Sequence, residues 1–126
     1  MIGLCLAVDM MVRAALPAAE FTLAWTHSVE KVLWEEDYRV ERDGLVPLAA
    51  RVRGAGAGME PPPGAVLRDG AWRYRPAVGA LPRLALTVSP HAADYRLCAG
   101  GRCKLLGELA GIRAGTVHLF PCRVPG

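Results

Sequence analysis

FTLAWTHSVEKVLWEEDYRV, residues 21 to 40, holds much of the aromatic content of an otherwise aliphatic chain, together with its densest group of ionisable side chains. With period 2, Phe21, Leu23, Trp25 and His27 share one face, and Val32, Trp34, Glu36, Tyr38 and Val40 share one face of the segment that follows. Two strands joined by a tight turn at Ser28 to Lys31 therefore bring His27 and Glu36 among core-facing aromatics. Polar groups in such a position need partners, which marks them as a candidate site. A helix over Ser28 to Tyr38 is the rival reading, because Ser28 can serve as an N-cap and Glu30, Lys31, Glu35 and Glu36 are good helix formers. The alternation from Val32 to Val40 favours the strand.

Outward from this stretch, Glu41-Arg42-Asp43-Gly44 reads as a turn that returns the chain as Leu45 to Arg53. Matching the apolar faces pairs Val40 with Val46, Tyr38 with Leu48, Glu36 with Ala50 and Trp34 with Val52, and sets Glu35 opposite Arg51 on the other face. Pro47 places this strand at an edge or at a bulge. Further strands are expected at Ile2 to Val8, Met11 to Leu16, Ala65 to Arg68, Ala71 to Arg75, Arg83 to Ser89, Tyr95 to Cys98, Arg102 to Leu106 and Thr116 to Val124, with a short helical turn within Leu106 to Ile112. Asp69-Gly70 and Gly100-Gly101 are two-residue hairpin turns. The expectation is an all-β, mainly antiparallel fold of about nine or ten short strands, either a small sandwich or a partly closed barrel.

A length of 126 residues suits a single domain with a real apolar core. The formal charge of +3 comes from scattered Arg rather than from a block, so a nucleic-acid arm is not expected. No run reaches the roughly 18 apolar residues of a membrane span. MIGLCLAV, residues 1 to 8, stops at Asp9 without a basic start or a small-residue cleavage site, so no secretory signal is expected in it. Four cysteines, Cys5, Cys98, Cys103 and Cys122, allow three pairings, and none has CxxC spacing. Cys98 and Cys103 face each other across the Gly100-Gly101 turn; the alternatives join Cys5 to Cys122, or Cys98 to Cys122. An even count leans towards an oxidising compartment, although free Cys is also a common small core residue.

Gly54-Ala55-Gly56-Ala57-Gly58-Met59, followed by Pro61-Pro62-Pro63-Gly64, lets backbone approach a ligand or another backbone closely. It is no phosphate-binding fingerprint, since proline follows where a helix would have to start. A Gly-x-Ser-x-Gly elbow is missing, and His91 and His118 stand too isolated in sequence to complete a metal set. Trp25, Trp34 and Trp72 read as core rather than as a stacking platform, for want of an accompanying basic stripe.

The run His27-Ser28-Val29-Glu30-Lys31 after an aromatic strand, the acidic strand Glu35 to Val40, the Asp-Gly turn, the segment Arg51 to Met59 and the late Gly-turn hairpin together resemble the domain-of-unknown-function family 1850. The likeness covers nearly the whole chain, with the HSVEK and GAGM pieces its specific parts. It implies a small bacterial protein encoded beside, or joined to, a tripartite (TRAP) transporter of the TAXI type, hence a periplasmic or envelope-associated setting and an accessory role. That family has no established activity, so the resemblance implies a context and no mechanism.

The candidate ligand-binding residues are His27, Ser28, Glu30, Lys31 and Glu36, with Gly56 and Gly58 closing over them. A His with two carboxylates suits a divalent metal or general acid/base work, and a Lys beside them suits an anion. Equally, His27 and Ser28 can bond to backbone in a turn while Glu30 and Lys31 point to water. Two functions follow: a non-enzymatic accessory domain that contacts a transporter subunit or binds a small anionic ligand, or a small metal-dependent hydrolase using His27 and Glu30. No cofactor is expected, and nucleic-acid binding would require a salt-dependent affinity that the scattered charge does not promise.

Overall fold

A computed structural model of the chain describes residues 1–26, 32–53 and 61–125. Eleven strands and one short helix occupy them: β1 (Ile2–Val8), β2 (Met11–Leu16), β3 (Glu20–Thr26), β4 (Leu33–Glu41), β5 (Gly44–Arg53), β6 (Val66–Arg68), β7 (Ala71–Tyr74), β8 (Leu84–Val88), β9 (Arg96–Ala99), β10 (Arg102–Leu105), α1 (Leu106–Ala110) and β11 (Gly115–Arg123). The fold is the expected mainly antiparallel β type. Its strands form two sheets rather than a closed barrel, which settles sandwich over barrel. One sheet has the order β2-β1-β11-β8 and the other β10-β9-β3-β4-β5-β7-β6.

One face of each sheet is turned inward, so side chains at alternate positions of the core-forming strands meet between the sheets. On the smaller sheet Leu4 and Leu6 of β1 and Val117 and Leu119 of β11 point in; on the larger, Phe21 and Leu23 of β3, Tyr38 and Val40 of β4, Leu45 of β5 and Leu97 of β9 meet them. Leu106 of α1 is fully buried in the same cluster. The Cys5–Cys122 bond ties the first strand to the last on the face of the smaller sheet turned away from this core. Cys98–Cys103 links the directly opposed positions of the β9–β10 hairpin, above a turn in which Gly100 and Gly101 both adopt positive φ. Among the three pairings open to the sequence, the structure selects this one.

The β4–β5 hairpin divides the sequence-based register in two. Below the middle it is as expected, with Glu36 opposite Ala50, Glu35 opposite Arg51 and Trp34 opposite Val52. Above it, Tyr38 lies opposite Pro47 and Val40 opposite Leu45, one residue from the expected partners. A bulge between Asp37 and Tyr38 absorbs the extra residue of β5, Leu48, beside a proline that cannot donate to a ladder. The turn is consequently one residue tighter than the pairing of Val40 with Val46 would make it, with Glu41 opposite Gly44. Gly44 is required here by close approach: a Cβ would lie 2.6 Å from the Leu81 carbonyl oxygen, which accepts a 2.8 Å bond from the Leu45 amide.

Candidate functional site

Strand alternation sets out the inner face of the larger sheet in rows. Trp25, Trp34, Val52 and Trp72 form one row across β3, β4, β5 and β7; Leu23, Glu36, Ala50 and Tyr74 form the next. Stacking reinforces the rows, with the Trp25 and Trp34 rings 6.1 Å apart and nearly parallel, the Phe21 and Tyr38 rings 5.2 Å apart, and Tyr95 tilted against Trp25 at 5.7 Å. Glu36 is half-buried among them. The Tyr38 hydroxyl donates to its Oε1 at 2.7 Å, and the small, fully buried Ala50 is all that separates it from Tyr74 along the row.

Burial, followed by the bond to Glu36 and its charge, pushes the Tyr38 hydroxyl far above the ordinary tyrosine range. Tyr74 and Tyr95 are raised too, in each case first by burial and then by the charge of Glu36. Three tyrosines thus stay neutral around one carboxylate. This arrangement suits a hydrogen-bond donor or a cation better than an anion. The Trp34 indole Nε1, buried beside it, has no acceptor among the described residues.

The outward face of the same sheet carries an ion network. Arg51 grips Asp37 with two bonds of 2.7 and 2.8 Å, Thr22 donates to the same carboxylate at 2.7 Å, and Glu35 takes Arg53 at 2.7 Å with the Arg51 Nε at 3.6 Å. Bonds from Arg51 hold the Asp37 carboxyl below the usual carboxylate range against the opposing effect of burial. This is the bonding of a sheet brace, every charge of which is matched.

Of the residues singled out in the sequence, Glu36 takes the expected inward place, on a row next to the stacked tryptophans. His27, Ser28, Glu30, Lys31, Gly56 and Gly58 lie outside the described residues. Thr26, Leu33 and Arg53, which adjoin those segments, sit side by side at one end of the larger sheet. Among the described residues no group of three or more His, Cys, Asp or Glu stands close enough to hold a metal ion. Tyr74 and Tyr95 were invisible to sequence reading as parts of the Glu36 surroundings, because only strand order brings β7 and the lead into β9 onto this face. For Asp37 a signal existed: it alternates with Glu35 on the face predicted to meet Arg51.

The molecule is a two-sheet β-sandwich with two disulfides and a half-buried carboxylate among aromatic rings. The family model of a domain of unknown function, DUF1850, matches residues 21–106, and the chain belongs to that family. The matched region takes in nearly the whole larger sheet and β8, leaving β1, β2 and β11 outside it. No curated protein and no solved structure matches the chain. Among the described residues no helix is long and apolar enough to cross a membrane.

Proposed function

We propose that the chain is a single-domain, non-enzymatic accessory protein on the extracytoplasmic side of the bacterial envelope, assisting a TAXI-type TRAP transporter by contacting one of its subunits or by holding a small anionic ligand. The observation that carries this reading is the pairing of all four cysteines, with no free thiol left over. Cytosolic glutathione and thioredoxin keep such thiols reduced, whereas the periplasm lets bonds between distant strands form and persist. The transporter enters through the family resemblance carried by the HSVEK run and the glycine segment. The protein's part is taken to be recognition, and the neutral tyrosines around Glu36 supply polar groups that can orient a hydrogen-bond donor or a cation of a partner without turnover.

The test is made in cells that encode the protein beside a transporter. After fractionation and thiol alkylation, the chain is expected in the periplasmic or envelope fraction with all four cysteines blocked, and a short amine-reactive cross-linker is expected to join it to a transporter subunit. Recovery from the cytosol with free thiols would overturn the location. Turnover in a broad hydrolase screen that His27→Ala abolishes would replace the accessory role with the hydrolase reading.

A further inference from the structure

We propose that the gap between the two sheets, where the end of β2 faces the β9–β10 hairpin, is a binding site for a small organic acid with an apolar body. The inference rests on the ligand-binding half of the reading above and gives it a place distinct from the Glu36 surroundings, whose own charge would repel an anion.

β2 is the edge of one sheet and β10 the edge of the other, so neither has a further strand to close the sandwich on this side. A cavity of about 370 Å³ is left between them, with Leu16, Leu97 and Leu109 among its apolar walls and Gly100 at the hairpin turn. This volume is at the lower end of the roughly 300–1,000 Å³ of small-molecule sites, too small for a protein element and sufficient for a compact ligand or a chain end. Charge supplies the specificity. Arg102 and Lys104 alternate with Cys103 and Leu105 along β10, so strand pleat aims both cations to the cavity side while the disulfide lies on the other. No carboxylate lines the cavity, and among the described residues neither cation is in an ion pair. Two unmatched cations at the rim of an apolar hollow complement a carboxylate on a hydrocarbon stem.

The walls are fixed before any ligand arrives. Cys98–Cys103 and the Gly100-Gly101 turn set the hairpin; the Asp94 carboxylate accepts a 2.7 Å bond from the Gly107 amide, and the Leu106 amide bonds to the Tyr95 carbonyl at 2.9 Å, holding the start of α1 to the lead into β9. On the far side the Ala18 amide turns back to the Leu16 carbonyl at 2.8 Å around Pro17. A site so braced loses little freedom on binding.

The probe is sodium octanoate, followed by amide chemical shifts and calorimetry on the oxidised full chain, with acetate and octylamine as controls. Octanoate is expected to shift the amides of Leu16, Leu97, Ala99 and Leu109 in a saturable way, while acetate, lacking the apolar body, and octylamine, carrying the wrong charge, leave them in place. The double variant Arg102→Gln with Lys104→Gln, both exposed and outside the core, is expected to keep the thermal midpoint and to weaken octanoate at least about tenfold. Equal binding of octylamine, undiminished binding by the double variant, or shifts confined to other parts of the molecule would overturn the proposal. If octanoate fails while the periplasmic location and the transporter cross-link hold, the cavity assignment falls alone; if those fail and octanoate still binds, the envelope reading falls alone.

Discussion

Replacing the cysteines in pairs should reveal a large asymmetry between the two disulfides. Cys5–Cys122 closes a separation of 117 residues and Cys98–Cys103 one of 5. In the chain-entropy account, a cross-link stabilises by removing loop freedom from the unfolded chain, which gives about 5 kcal/mol for the long closure and about 2 kcal/mol for the short one. Cys5 is also only 5% exposed, so its replacement by Ala adds about 1 kcal/mol of lost packing, whereas Cys103 is exposed and adds little. The expected costs are therefore about 6 kcal/mol for Cys5→Ala with Cys122→Ala and about 2 kcal/mol for Cys98→Ala with Cys103→Ala. A chain of this length has about 6 to 19 kcal/mol of total stability, so the first variant loses at least about a third of it and the second no more than about a third. Urea unfolding of both variants beside the oxidised parent, with fitted slopes to check that the unfolded state accounts for the change, makes the comparison. Equal costs, or a larger cost for the hairpin pair, would refute the reasoning.

Three further outcomes are expected. Asp37→Asn should cost about 1–2 kcal/mol in urea unfolding at neutral pH, the value for charge-assisted bonds discounted for a pair still partly open to water. Because the folded Asp37 carboxyl titrates below its unfolded value of about 3.9, its contribution is present above that pH and is lost as pH falls through the folded value; the variant's urea midpoint should fall less steeply in acid, and an unchanged slope would remove Asp37 from the account. Tyr38→Phe should cost about 1 kcal/mol at neutral pH and flatten the alkaline limb of the stability curve: the folded hydroxyl is raised, so its contribution is complete below about pH 10 and is lost as pH rises from there, and an alkaline limb as steep as the parent's would contradict this. Gly44→Ala should lower stability by about 1–3 kcal/mol, because its φ of 155° and the nearby Leu81 carbonyl both oppose a side chain; a melting temperature equal to the parent's would show that the β5–Leu81 contact is not tight.

Much of the fold was legible because period 2 and turn chemistry are local. Asp69-Gly70 and Gly100-Gly101 located two hairpins, and the alternation within Phe21 to Trp25 and within Trp34 to Val40 identified which of those side chains face the core. Pleat tells a strand which way its side chains point but not which strand lies next to it. That β3 sits between β9 and β4, and that β11 lies between β1 and β8, depends on contacts between distant parts of the chain. The Leu48 bulge shifted half of one hairpin for a related reason: Pro47 announced an irregularity without saying where the extra residue would go.

The candidate site was legible to a lesser degree. Glu36 stood out as an acid on an apolar face, and it is inward as expected. Its companions Tyr74 and Tyr95 belong to segments far along the chain and have no shared spacing to expose them. Arg102 and Lys104 looked like ordinary surface cations in the sequence. Only the meeting of two sheet edges gives them a common apolar hollow to face.

The central claim is that two disulfides clasp this sandwich in the cell, and peptide mapping of the protein isolated from its own cells under thiol-blocking conditions tests it most directly. The account predicts two linked peptide pairs, one containing Cys5 with Cys122 and the other Cys98 with Cys103, and no alkylated cysteine. Four alkylated cysteines, or a peptide joining Cys98 to Cys122, would contradict it.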